Sequence, residues 1–435
     1  MKTHFFSAVT LGVLLTLSVP ANAQEEHNEF SLSAQIRPRF EYRNGAYLPL
    51  EKGKQPAILV NNRTRLNFDY KNTDRLRFYL SLQNVNVWGQ APQIQVTDKT
   101  GGFSVFEAYA SFPIAQKLSA KIGRQMIVLD DDRIFGSLDW HPAGRSHDAV
   151  NLDWKTSDKF LLRSFFAFNQ NYTDKNINNP AGQYFTKGAQ NYQHLEAFHG
   201  LYRISESNRI SLLFSNLGFR DDAVSNETHN MQTFGFHYAG TTNDWKYGLT
   251  SYFQTGKNAG GATKSAYMFA VNMGYKFSDV FSLSAGIDYL SGKNADDTSG
   301  KDKAFDPFSG TNHKFYGFMD YYYVPAVNPF GLINPYLTAN FRIGEKSSFS
   351  ATWHNFASAG IVYDSKGNKK RGLGNEIDLV YTLKVQPYIG LQMGYSTYFT
   401  TDALNTLKKT PNARGYQDWF WCSLNINPKI FSAKF

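Results

Sequence analysis

Residues 30 to 43, FSLSAQIRPRFEYR, alternate between two kinds of side chain. Phe30, Leu32, Ala34, Ile36, Phe40 and Tyr42 share one parity, and Arg37, Arg39, Glu41 and Arg43 the other. An extended strand sends successive side chains to opposite faces, so one face is apolar and the other charged. The pattern repeats at once. NNRTRLNFDY (61–70) sets Leu66, Phe68 and Tyr70 opposite Arg63, Arg65, Asn67 and Asp69, and DRLRFYLSLQ (74–83) sets Leu76, Phe78, Leu80 and Leu82 opposite Arg75, Arg77, Ser81 and Gln83.

Alternation of this kind predicts strands near residues 30–43, 59–70, 74–87, 103–112, 117–127, 147–155, 159–170, 193–204, 208–219, 230–240, 244–256, 264–277, 280–292, 333–343, 347–358, 374–384, 387–400 and 416–427. That is about 18 strands, each near the ten residues a tilted membrane strand needs. The connections alternate too. Long loops such as 44–58, 88–102 and 128–146 are interleaved with the short turns KNT, PIAQ, TSD, SES, TTN, SD, GEK and VQ. Outer-membrane barrels show this asymmetry, with short periplasmic turns, long extracellular loops and an even strand number that leaves both termini in the periplasm. The expected fold is therefore all-β: a transmembrane antiparallel β-barrel. HKFYGFMDYYY (313–323) also reads as a strand, but counting it would make the total odd. It is assigned to the long loop 293–332, folded inward.

Lys2, the apolar run Phe5–Val19 and Ala21-Asn22-Ala23 form a secretory signal peptide over residues 1–23. Residues 24–435 are then a single exported barrel domain, without any run of about 18 apolar residues that could form a membrane helix. Aromatic content is 16% while mean hydropathy is only −0.42, as expected when a polar lumen face offsets a lipid face. The lone Cys422 excludes a disulfide scaffold, and the terminal Phe435 resembles the aromatic by which the barrel-assembly machinery recognises its clients.

The formal charge of +9 points to an acidic partner: lipid headgroup, nucleic acid or anionic solute. Geometry narrows the choice. An Arg or Lys on the lipid face near the midplane costs roughly 2–4 kcal/mol, so the arginine rows must face the lumen. Nucleic acid is excluded because the bases point inward. Arg37, Arg39, Arg63, Arg65 and Arg77 are the expected pore wall, joined by Arg163, which KFLLRSFFAF places opposite Leu162, Phe166 and Phe168. Arg43 and Arg75 lie near the rims. A guanidinium binds carboxylate oxygens in pairs and stays charged. Rings of such groups select anions provided each contact is weak enough to release. The alternative for these arginines is pairing with lumen acids or contact with lipopolysaccharide.

The segment GRQMIVLDDDRIFGSLDWHPAGRSHDAVNLDW (123–154) resembles the signature of the alginate-export family of outer-membrane porins through Gly123-Arg124-Gln125, Asp132-Arg133, Gly136, Trp140, Gly144-Arg145-Ser146 and Asp148. NHKFYGFMDYYY and GLINPYLTANF resemble segments of members from the Bacteroidetes. His147 departs from the aromatic usual at its position. The resemblance implies a monomeric barrel of roughly 18 strands in the outer membrane of a Gram-negative bacterium, in contact with lipid and lipopolysaccharide. It also implies an arginine-rich constriction and passage of a uronate polymer or a smaller acidic sugar. The expectation is a passive channel for anionic saccharides and not an enzyme; the alternatives are a general or small-anion porin, or an outer-membrane hydrolase.

Read from its residues, the same segment contains a conflict. Alternation from Leu118, Ala120 and Ile122 would send Arg124 to the lipid, and a bulge at Gly123 is expected to turn it inward. In the loop that follows, Arg133 and Arg145 either bind ligand or pair with Asp130, Asp131 and Asp132. A calcium site at these three acids is a further alternative, although they lack the alternating spacing of an EF-hand loop. Tyr321 to Tyr323 are expected to pack the loop, with stacking on sugar rings the second reading. No GxxxxGK, HExxH or GxSxG occurs, and no metal or other cofactor is expected. A hydrolase would need a positioned nucleophile and base, which alternation cannot identify.

Overall fold

The computed structural model describes residues 28–94, 102–169, 171–172, 184–185, 192–219, 227–324 and 327–435. The expected signal peptide, 1–23, lies outside the described residues. The first seven strands are β1 (Glu29–Asn44), β2 (Ala57–Lys71), β3 (Arg77–Val87), β4 (Phe103–Ala115), β5 (Leu118–Gln125), β6 (His147–Lys155) and β7 (Phe160–Phe168). A two-residue pair, β8 (Asn171–Tyr172) with β9 (Tyr184–Phe185), stands apart from the main sheet. The barrel continues with β10 (His194–Arg203), β11 (Asn208–Phe219), β12 (His229–Thr242), β13 (Trp245–Gly256), β14 (Ala266–Lys276) and β15 (Phe281–Leu290). It ends with β16 (Leu332–Arg342), β17 (Ser347–Tyr363), β18 (Lys369–Gln386), β19 (Ile389–Thr400), β20 (Tyr416–Ile426) and β21 (Lys429–Lys434).

Each barrel strand pairs antiparallel with its neighbours, and the ring closes where β1 meets β20 and β21. Those last two occupy one barrel position. Pro428 has no N–H for the ladder and interrupts the strand, yet its carbonyl accepts from Ala34, and pairing resumes at Ser33–Lys429. The barrel therefore has eighteen strand positions, with the last running past its expected end at residue 427. Strands β17 and β18 also exceed their expected limits, because the connection Asp364–Asn368 is a tight turn and the pairing extends almost to it. Asn28 and Phe435 exchange backbone hydrogen bonds, so both described chain ends meet at the short-turn end, the periplasmic one.

The outward face matches the alternation. Ile36, Phe40, Phe78, Leu212 and Phe269 are exposed to the surroundings, a band that lipid covers. Among the described residues closure leaves the barrel sheet no unpaired edge, as a structure crossing hydrocarbon requires. The hydrophobic core lies inside the ring. Phe135, Phe305, Tyr316, Met319, Tyr321, Tyr322, Phe356, Tyr398, Trp419 and Trp421 are almost fully buried together. These residues come from loops 126–146 and 291–331 and from the inward parity of β17, β19 and β20. Both loops fold into the outer half of the barrel. The segment 313–323 is loop, as expected, and its tyrosines pack it: Tyr321 donates to the Gly45 carbonyl, and the Tyr322 and Tyr398 hydroxyls meet at 2.7 Å.

Candidate functional site

The inward parity of β1 and β2 carries Arg37, Arg39, Arg63 and Arg65 at nearly one height, since Arg37 pairs with Arg63 and Gln35 with Arg65 in the ladder. Loop 126–146 meets this wall. Three guanidiniums converge on Asp139: Arg63 Nη1 lies 2.8 Å and Arg65 Nη1 3.7 Å from Oδ1, and Arg37 Nη1 lies 3.1 Å from Oδ2. Three positive charges surround one negative. The arginines are largely buried, while the Asp139 side chain is 57% exposed. Burial would raise its pKa, but Arg63, Arg37 and Arg65 together hold the carboxyl below the usual range. Beside the cluster lies a cavity of about 260 Å³ lined by Arg63, Arg65, Tyr79, Glu107 and Asp139.

Each guanidinium is also aimed by neighbours. Arg63 donates to Gln35 (3.0 Å), and Arg65 to Gln83 (2.7 Å) and the Ala143 carbonyl, with its plane 3.5 Å from the Phe106 centroid. Arg39 donates to Glu41 (2.9 Å) and to the Trp140 carbonyl (2.8 Å), and lies over the Trp140 ring at 4.1 Å. Trp140 stacks on His313, which stacks on Phe318, so one column of rings ties both inward loops to β1. Glu41 is fully buried and accepts from Arg39, Arg43, Asn61 and Trp419. Arg39 is thus neutralised where Arg37, Arg63 and Arg65 share a single acid.

The other expected arginines lie elsewhere. Arg77 and Arg163 face inward toward the periplasmic end and are paired, with Asp69 (2.7 Å) and Asp153 (3.8 Å). The sequence suggested an even row; the register instead gives one cluster and two separate pairs. Arg124 corrects a second expectation. The β5–β6 register runs unbroken from Leu118–Trp154 to Gln125–His147, so Arg124 stays on the outward face with Ile122. There it reaches Asp148 at 2.9 Å. Gly123 does have a positive φ of 121°, and a Cβ there would sit 2.3 Å from the Ala108 carbonyl oxygen. The glycine serves close strand approach and does not turn Arg124 inward.

Arg133 and Arg145 anchor loops. Arg133 is 2% exposed, bonded to Asp131 (2.9 Å) and to Asp288 of β15 (2.7 Å), which hold it firmly protonated despite its burial. Arg145 Nη1 donates to the carbonyls of Gly136, Ser309 and Gly310, joining the two inward loops; burial lowers its pKa to about 10. The three consecutive aspartates diverge. Asp130 accepts from Ser211 (2.6 Å) and meets His199 (2.9 Å), Asp131 takes Arg133, and Asp132 takes Lys314 (3.0 Å). Their carboxylates do not converge on one point, which removes the calcium reading. The Ser211 hydroxyl donates to Asp130, so it is not poised against His199 as a nucleophile would be. His147, the departure from the family pattern, is buried against the Tyr192 hydroxyl at 2.5 Å. Asp139 escaped the sequence reading, because nothing in a loop's spacing says which wall it will meet.

A closed barrel with an apolar outer band, long loops folded inward and a polar inner wall defines an outer-membrane channel. Residues 28–416 match the alginate export family, and the chain belongs to it. Among solved structures it is similar to OpdQ of Pseudomonas aeruginosa (12% identity, 92% of this chain and 98% of that one, TM-score 0.60). It is likewise similar to OccAB4 of Acinetobacter baumannii (12%, 95% and 100%, 0.60) and to OpdK of P. aeruginosa, crystallised with vanillate (11%, 92% and 99%, 0.59). At these identities the likeness speaks for the fold. No curated protein sequence matches the chain. The protein resides in the outer membrane of a Gram-negative bacterium, and family and fold point to a channel and not to an enzyme.

Proposed function

We propose that the channel passes anionic saccharides, uronate chains or smaller acidic sugars, and that Arg37, Arg63 and Arg65 are the groups that receive their carboxylates. The observation carrying this reading is the convergence of three guanidiniums on the Asp139 carboxylate. A carboxylate of the solute is chemically the same group, and the planar forks suit it. Among the described residues Asp139 is the one carboxylate in ion-pair contact with these three guanidiniums, and the positive excess favours anions over cations at this level of the lumen. The arginines are held by Gln35, Gln83 and Phe106, so the site does not have to form when the solute arrives. Arg77 and Arg163, with their own acids, are secondary contacts along the same wall. The protein works as a monomer, without cofactor, after insertion by the barrel-assembly machinery.

The test is the reversal potential of the purified protein in a planar bilayer under a KCl gradient, followed by addition of oligouronates or neutral oligosaccharides of equal length. Anion preference with block by acidic chains alone is the expected result. Anion preference without such block would leave a small-anion porin, and cation preference would overturn the reading.

A further inference from the structure

From β13 to β18 the inward-facing positions change character along the strands. On β16 Leu332 and Asn334 are buried while Asn340 and Arg342 are exposed; on β18 Glu376 and Asp378 are buried while Thr382 and Lys384 are exposed. The loops fill the outer half of the barrel and leave the periplasmic half of this wall open. It borders a cavity of about 810 Å³.

The inward parity there is small and hydrophilic, with Ser284 and Asn340, and it carries four cations: Lys246, Lys276, Arg342 and Lys384. Lys276 is paired with Asp279 at 2.5 Å. Among the described residues Lys246 and Lys384 have no carboxylate within ion-pair distance, and Arg342 reaches only the Gly344 carbonyl at 3.4 Å. The remaining acids beside the cavity, Asp244 and Glu345, are on the turns and not on the wall. In the arginine cluster every guanidinium is already bonded to the protein; here Lys246 and Lys384 hold no carboxylate among the described residues.

We propose that this face is a second anion-binding site, a periplasmic loading site for the acidic saccharide. The saccharide part rests on the function proposed above. Lysines suit a loading site. Each is a compact, strongly hydrated point charge on a flexible stem, so it attracts a carboxylate without fixing its orientation and releases it readily. Serine and asparagine side chains between them offer hydrogen bonds to sugar hydroxyls, and their small size keeps the wall open. Field from a one-signed wall above a low-dielectric barrel raises the local concentration of anions.

The experiment compares wild type with Lys246→Gln/Lys384→Gln in oriented bilayers, adding a short oligouronate to one side at a time. Both lysines are exposed, so the double variant keeps its fold; heat-modifiability on gels checks this. Block from the periplasmic side is expected to weaken about fivefold for each lysine removed at low salt, from the Coulomb energy of one contact in water. The effect should shrink toward 1 M salt. Block from the extracellular side should not change. A second readout needs no saccharide: in symmetric KCl the wild type should rectify, passing more current at the polarity that drives chloride in from the periplasm, and the double variant should lose this asymmetry. Unchanged rectification and unchanged periplasmic block would overturn the site, as would equal weakening from both sides. Lost rectification, with no oligouronate block even in wild type, would overturn the saccharide reading and keep the anion site.

Discussion

Replacing Asp139 by Asn removes one negative charge from among three guanidiniums and leaves the shape of the side chain. The amide oxygen can still accept from Arg63 Nη1, now at 2.8 Å, so the loop keeps its anchor. The Asp139 side chain is 57% exposed, which makes the water value of the Coulomb energy the right one. Two unit charges 4 Å apart interact by about 1 kcal/mol in water. A passing anion near the arginines should gain about that much when the competing carboxylate is gone, which is about fivefold in occupancy. Asp139→Asn should therefore raise the chloride over potassium permeability ratio by about fivefold at low salt, measured from reversal potentials, and tighten oligouronate block by a similar factor. The pH dependence carries a sign as well. The Asp139 pKa is depressed, so its ion pairs persist down through the ordinary carboxylate range and are lost only as pH falls through the lowered value. Wild-type selectivity should stay level through the ordinary carboxylate range and rise only below it, while the variant stays flat. An unchanged or smaller anion preference in the variant would refute the claim that Asp139 occupies the solute's site.

Other perturbations test the scaffold. Arg133→Ala strands Asp288, which is fully buried on β15, and breaking such a pair costs about 3–5 kcal/mol; the unfolding midpoint on heat-modifiability gels should fall, and adding Asp288→Asn should restore part of it. Gly317 has φ +83° and a Cβ there would lie 2.4 Å from Glu376 Oε2, so Gly317→Ala should loosen the loop at Met319, whose N–H donates to Glu376, and admit trypsin to Lys314. Burial raises the pKa of Asp306 to about 6 against the pull of Lys264. A raised acid stabilises the loop while protonated and loses that contribution as pH climbs from its ordinary value to about 6, so protease resistance of loop 291–331 should fall between about pH 4 and pH 6 in wild type, level off above that, and stay flat in Asp306→Asn.

The barrel was legible in the chain because a period of two is imposed by the strand itself and needs no partner to be seen. Phe40 and Arg39 take opposite faces whatever surrounds them, and the lipid then decides which face is out. Strand number and loop asymmetry followed from the same signal. The exceptions are informative. Pro428 ends the pattern locally, yet pairing with β1 continues beyond it, because an interrupted ladder can resume on the far side. Arg124 was misplaced because a positive-φ glycine can either shift register or admit a close neighbour, and only the β5–β6 pairing distinguishes them. The free lysines of β13 and β18 obey the same parity as the arginines and could have been found by it, but they are scattered over distant strands and form no local run.

Alternation and composition by themselves determined the class of fold, the two faces of each strand and the inward direction of Arg37, Arg39, Arg63 and Arg65. Only the tertiary structure decided what those arginines meet. Asp139 is 76 residues from Arg63 in sequence and is delivered by a loop whose path depends on Arg133, Arg145 and the ring column from Trp140 to Phe318. Side-chain direction is a property of the local backbone, whereas charge compensation depends on contacts between segments far apart in the chain, and no periodicity encodes them.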